Sequence, residues 1–108
     1  EVFGDKKGKV IVLGWGSPFG AIRAAVEDLR AEGKKVSHCH LQYINPFPKN
    51  LGEILKNFET VLIPEINMGQ LLFLIRAQFE GVHAVGYNRV IGQPFKIREL
   101  KREIEALL

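Results

Sequence analysis

Three stretches of this chain carry residue types that do chemistry in proteins. They are a glycine-rich loop, a His-Cys-His triplet and an acid followed by an amide. The loop GWGSPFG places its glycines as Gly14-x-Gly16-x-x-x-Gly20, directly after the run Lys9-Val10-Ile11-Val12-Leu13, apolar from Val10 on. A strand that runs through glycines into a helix is where backbone amides cradle phosphates. This spacing is one residue longer than the dinucleotide fingerprint, and Trp15 and Pro18 add bulk where a pyrophosphate needs close backbone approach. The fingerprint also needs an acid at the end of the second strand to hold a ribose, where this chain reads His38-Cys39-His40-Leu41-Gln42. No GK[ST] is present, which excludes the nucleoside-triphosphate loop. The loop is expected to be a structural turn; an anion on the following helix N-terminus is the competing use.

The triplet His38-Cys39-His40 has the side chains of a metal site but not the geometry. Alternation on a strand sends both histidines to one face and Cys39 to the other, and three consecutive strand residues cannot converge on one ion. His83 is distant in sequence. A buried cysteine between two partly covered imidazoles is expected, with no metal. Glu65 and Asn67 follow a strand, where a general base can sit, but no Ser, Cys or His stands beside them to complete a nucleophilic unit. Glu65 is then expected to bond loop amides or a neighbouring subunit.

The elements that position these residues alternate between strand and helix. Residues 9–13 form a strand suited to burial on both faces. Ser17 and Pro18 supply an N-cap and first turn for a helix whose apolar positions are Ala21, Ile22, Ala25, Val26 and Leu29, and Gly33 ends it. A second strand spans 35–41. Pro46 and Pro48 mark a loop, and Leu51, Ile54, Leu55 and Phe58 give one face of a short helix capped by Asn50, with Glu53 three residues on. The third strand spans 60–63 and is closed by Pro64. Asn67-Met68-Gly69-Gln70 reads as an Asn/Gln capping box before a helix with Leu71, Leu74, Ile75 and Phe79 inward. A fourth strand is expected at 82–85 and a last helix along Ile97, Leu100, Ile104 and Leu107. Parallel strands with right-handed crossovers follow: an α/β fold, three layers α/β/α, around an open, mostly parallel sheet of four to five strands.

Composition narrows the function classes. At 108 residues the chain holds one core, and its 46% hydrophobic and 25% charged residues are those of a globular domain. The run Leu71-Leu72-Phe73-Leu74-Ile75 is far too short to span a bilayer, so no membrane partner is expected. The net charge of +3 comes from Lys and Arg interleaved with acids, as in KIRELKREIE, a solvated helix face and not a nucleic-acid footprint. The single cysteine excludes an internal disulfide and suits a reducing cytoplasm. There are no internal repeats or low-complexity segments. The chain starts at Glu1 without Met, and EVFGDKKGK, with its charges and two glycines, resists packing. Residues 1–8 are therefore expected to be a linker remnant and 9–108 a domain cut from a longer polypeptide.

Taken together, GWGSPFGAIRAAVEDLRAEGKKV, LQYINPFPKNLGEILKNFETVLIPEINMGQL and VIGQPF resemble the C-terminal domain of the alpha subunit of 2-oxoacid:ferredoxin oxidoreductases, in particular the 2-oxoglutarate type. The resemblance runs from about Lys9 to Phe95 and rests on NPFP, PEINMGQ and GQPF in this order. It implies a transketolase C-terminal-like domain. In that family a 2-oxoacid and CoA become acyl-CoA and CO2, using thiamine diphosphate with Mg2+, and electrons leave through iron–sulfur clusters to ferredoxin. The resemblance implies that the thiamine cofactor is held by other domains of the alpha subunit and by the beta subunit, and that Mg2+ and the iron–sulfur clusters belong to the parent complex, none of them to this chain. Nothing in the quoted residues matches the thiamine-binding GDG…N motif or a cysteine cluster. No catalytic, cofactor or metal residue is therefore expected in this chain, which by itself should be inactive.

Loops at the C-terminal strand ends carry Trp15, Ser17, Phe19, Glu65, Asn67, Gln70 and Gln93. An aromatic and amides at one sheet edge suit contact with the neighbouring domains. The alternatives are a stand-alone Rossmann-like nucleotide-binding domain, which lacks its ribose acid here, and a stand-alone interaction module.

Overall fold

A computed structural model of the chain describes residues 1–16, 18–42, 47–66, 69–88 and 94–108. Its centre is β2 (Gly8–Trp15), flanked by β3 (Val36–Leu41) on one side and β4 (Phe58–Glu65) on the other, with β5 (Ala84–Asn88) beyond β4. These four strands are parallel, and β1 (Val2–Phe3) adds an antiparallel edge to β3. The strand order is β1-β3-β2-β4-β5. Among the described residues there are four helices: α1 (Phe19–Ala31), α2 (Leu51–Lys56), α3 (Gln70–Gln78) and α4 (Ile97–Leu107). Among the described residues no helix is long and apolar enough to cross a membrane.

The alternation along β2 builds two cores. Ile11 and Leu13 join Leu51 and Leu55 of α2 and Leu71 and Ile75 of α3 on one face. Val10 and Val12 join Ile22, Ala25, Val26 and Leu29 of α1 and Leu100 and Ile104 of α4 on the other. Each such aliphatic side chain contributes about 1.5–3 kcal/mol on leaving water, which is why a strand buried on both faces reads as an unbroken apolar run. The expected three-layer α/β/α arrangement is present. α1 ends as the sequence implies: Gly33, at φ +88°, lets its own N–H reach Arg30 O and the Lys34 N–H reach Leu29 O, the paired bonds of a Schellman stop.

Several local expectations are corrected. Within the stretch expected to resist packing, Val2 and Phe3 pair with Cys39 and His38, and the Ser37 hydroxyl donates to Asp5 O at 2.5 Å, while residues 5–8 remain exposed. α1 begins one residue later than read, with Pro18 at the N-cap and Phe19 first in the helix. Asn50 stands at the N-cap of α2 without a side-chain cap bond, because its φ −97°, ψ 8° is not the extended conformation that aims a cap at the next amides. Phe58 opens β4 and is not on α2. Pro64 does not close β4, which runs on to Glu65. The Val61 N–H bonds His83 O on the β5 side, so alternation turns the missing Pro64 N–H toward β2, past the last β2–β4 pair, Val12–Leu62. The fourth parallel strand sits at Ala84–Asn88, two residues beyond its expected start.

Candidate functional site

Parallel strands bring their C-terminal ends to one edge. Gly14 is level with His40 and Trp15 with Leu41, while Glu65 is level with Asn88. The chain leaves β2 through α1 to β3 on one side, then returns through α2 to β4 on the other. This places a topological switch point between the ends of β2 and β4, the position where open α/β sheets form a crevice.

The glycines of the β2–α1 turn have separate structural reasons. A Cβ on Gly14 would lie 2.7 Å from both His40 Nδ1 and Ile22 Cδ1, so the missing side chain makes room for the neighbouring strand's imidazole and for α1. Gly16 has φ +74°, a left-handed conformation that favours glycine. Gly20 has open space around its would-be Cβ and answers to neither demand. The spacing that suggested a phosphate cradle thus comes from one packing contact and one turn.

His38 and His40 share one face, as alternation requires, and Cys39 packs into the opposite core. His38 is fully buried, more enclosed than expected, and His40 is half-buried. Arg23 Nε donates to His38 Nδ1 at 3.2 Å. That nitrogen must then be an acceptor, so the proton of His38 sits on Nε2, 3.2 Å from His40 Nδ1. His40 in turn carries its proton on Nε2 and donates to Gly16 O at 2.9 Å. One directed chain, Arg23 to His38 to His40 to Gly16, ties α1, β3 and the turn together with both imidazoles neutral. Burial, then the neighbouring His40 and Arg23, pull the His38 pKa from 6.5 down to about 3. Burial also lowers that of His40, against the bond to Gly16, which raises it. Burial pushes the Cys39 thiol up, which disfavours its thiolate. Arg23 was not among the residues singled out in the sequence. It lies 15 positions from His38, and no local pattern connects them.

Glu65 is buried at 7% exposure, and both of its oxygens are committed. Oε1 accepts from the Leu71 N–H at 2.8 Å and Oε2 from the Leu72 N–H at 3.0 Å. It caps α3 from six residues upstream and places a negative charge at the helix's positive end. The helix starts later than the capping box implied, with Gly69 at its N-cap in a left-handed conformation, φ +78°. Of the other sequence-singled residues, Trp15 is partly buried against the α2–α3 core, Phe19 is 42% exposed and Gln70 is exposed. All of these lie at the C-terminal edge. Ser17, Asn67 and Gln93 lie outside the described residues.

The described residues do not fit thiamine diphosphate, Mg2+ or an iron–sulfur cluster. Among the described residues no three His, Cys, Asp or Glu side chains gather as a metal site, and Cys39 is the chain's single cysteine. The buried carboxylate at the edge is spent on α3.

Residues 8–100 match the family described as pyruvate:ferredoxin oxidoreductase core domain II. The chain is 41% identical over 93% of its length to the 2-oxoglutarate oxidoreductase subunit KorA of Mycobacterium tuberculosis, and 34% identical over its whole length to the 2-oxoacid:ferredoxin oxidoreductase subunit alpha of Saccharolobus solfataricus. It spans only 15% and 17% of those two relatives. A solved 2-oxoglutarate:ferredoxin oxidoreductase from Magnetococcus marinus, with 2-oxoglutarate, coenzyme A and succinyl-CoA bound, superposes on 98% of the chain. The TM-score is 0.91 at 29% identity, covering 19% of that chain. With the family pattern covering most of its length and the fold in agreement, this chain belongs to the pyruvate:ferredoxin oxidoreductase core domain II family.

Proposed function

We propose that the chain works as a non-catalytic assembly domain in the alpha subunit of a cytoplasmic 2-oxoacid:ferredoxin oxidoreductase of the 2-oxoglutarate type. In this reading the whole enzyme converts a 2-oxoacid and CoA to acyl-CoA and CO2 and passes the electrons to ferredoxin. Thiamine diphosphate, Mg2+ and iron–sulfur clusters belong to the other alpha domains and the beta subunit, which are this domain's partners. The similarity to KorA over 93% of the chain carries the reading. The assembly role is supported by the C-terminal edge, where Glu65, His38 and His40 are spent on internal bonds while Phe19 and Gln70 remain exposed.

The test has two parts. The enzyme containing this domain should reduce an artificial electron acceptor in the presence of 2-oxoglutarate and CoA, and prefer that 2-oxoacid to pyruvate. The chain alone should show no such activity and should not bind thiamine diphosphate more tightly than roughly 100 μM. Turnover by the chain alone would overturn the non-catalytic role, and preference for pyruvate would overturn the substrate class.

A further inference from the structure

We propose that Arg23 anchors a binding site for a small organic anion, with phosphate or carboxylate oxygens on its guanidinium and an apolar part against Phe19. The guanidinium is held in place by three contacts that leave most of its donors unused. Nε is bound to His38 Nδ1 at 3.2 Å, and the carbon centre lies 4.1 Å from the Phe3 ring centroid and 5.0 Å from that of Phe19. Of its five N–H donors, the four on the terminal nitrogens have no hydrogen-bond or ion-pair partner among the described residues. An arginine used only as a strut would pair that fork with a carboxylate or a carbonyl. Arg30 does so with Asp5 at 3.7 Å and with Val36 O at 3.1 Å, and Arg76 puts both Nε and Nη2 on Ala84 O.

The unspent fork lines a cleft of about 660 Å³ with Phe3, Phe19, His40 and Gln42, a size that suits a small molecule. The cleft's one lining carboxylate, Glu1, is exposed and makes no ion pair with Arg23 among the described residues. His40 cannot satisfy the fork, because Nδ1 accepts from His38 and Nε2 donates to Gly16. A planar, pre-ordered fork matches two oxygens of a carboxylate or phosphate, and little side-chain freedom remains to be lost on binding. Phe19 is 42% exposed although its ring touches both imidazoles, which leaves an aromatic surface beside the fork for the rest of the ligand.

NMR titration of the chain with inorganic phosphate, AMP and benzoate tests the site, read at the Arg23 Nε–H and His40 ring signals. AMP or benzoate should shift both signals saturably, with a dissociation constant of roughly 1 mM or tighter. Response to phosphate and AMP assigns the phosphate source, and response to benzoate alone assigns the carboxylate. Arg23→Gln should weaken binding at least about tenfold. Should that variant fail to fold, Arg23→Lys and Phe19→Ala carry the test. The lysine keeps the charge but loses the fork and should weaken every probe, whereas Phe19→Ala should weaken AMP or benzoate more than inorganic phosphate. No saturable shift with any probe would overturn the proposal, as would affinity unchanged in a folded Arg23 variant.

Discussion

Acid should destabilise this protein through His38. Its side chain is buried and bonded as a neutral ring between Arg23 and His40, which holds its pKa at about 3 against 6.5 in the unfolded chain. Above pH 6.5 the ring is neutral in both states and costs nothing. As pH falls from 6.5 toward 3, the unfolded chain takes up a proton that the folded ring refuses, so stability falls with pH. At about pH 4.5 the unfolded state is two pH units into its titration and the folded state has not begun. At about 1.36 kcal/mol per unit, the loss is about 2.7 kcal/mol. In urea melts that is a midpoint drop of roughly 1–3 M relative to neutral pH. His38→Gln keeps one donor and one acceptor and cannot be protonated, so its drop over the same range should be smaller by that amount. The variant comparison removes the share of His40. Equal losses in both chains would refute the argument, as would a His38 ring signal titrating near 6.5 in the folded protein.

Glu65→Ala should cost about 1–3 kcal/mol in urea unfolding, because it strands the Leu71 and Leu72 amides at a buried helix start, while Glu65→Gln should recover part of the loss. Gly14→Ala should destabilise by about 1–3 kcal/mol through overlap with His40 and Ile22, whereas Gly20→Ala should be neutral or stabilise by about 0.5 kcal/mol. A thermal-melt comparison in which both glycine variants behave alike would contradict the separate reasons given for them. Trp15 is partly exposed in this chain, so acrylamide should quench its fluorescence more here than in the assembled enzyme, and Trp15→Ala should weaken assembly more than folding.

The long elements were legible in the sequence because their signals are local and redundant. An unbroken Val/Ile/Leu run marks β2, five apolar positions at helical spacing mark α1, and Gly33 marks its end. β1 carries no such signal: a pair of residues has no periodicity, and its existence depends on the free edge of β3. The cap of α3 was sought in Asn67 because capping rules look three residues ahead, whereas Glu65 reaches six positions along a folded-back chain. The Pro64 rule failed because it takes no account of which side of a strand is already vacant. At the candidate site, alternation gave the shared face of His38 and His40, but the direction of their protons depends on Arg23, which only the tertiary fold brings near.

The short β1 strand has a consequence beyond its two residue pairs. β3 would otherwise be an edge strand, and its Val36, Ser37, His38, Cys39 and Leu41 are all buried. Bare edges of that kind recruit strands from other molecules. Val2 and Phe3 occupy the edge in the antiparallel sense, Phe3 also bears on Arg23, and Asp5 fastens the segment through Ser37 and Arg30. The first five residues therefore cover part of that edge, and their removal would expose the backbone of β3 beside Cys39 and His38 as a template for another strand.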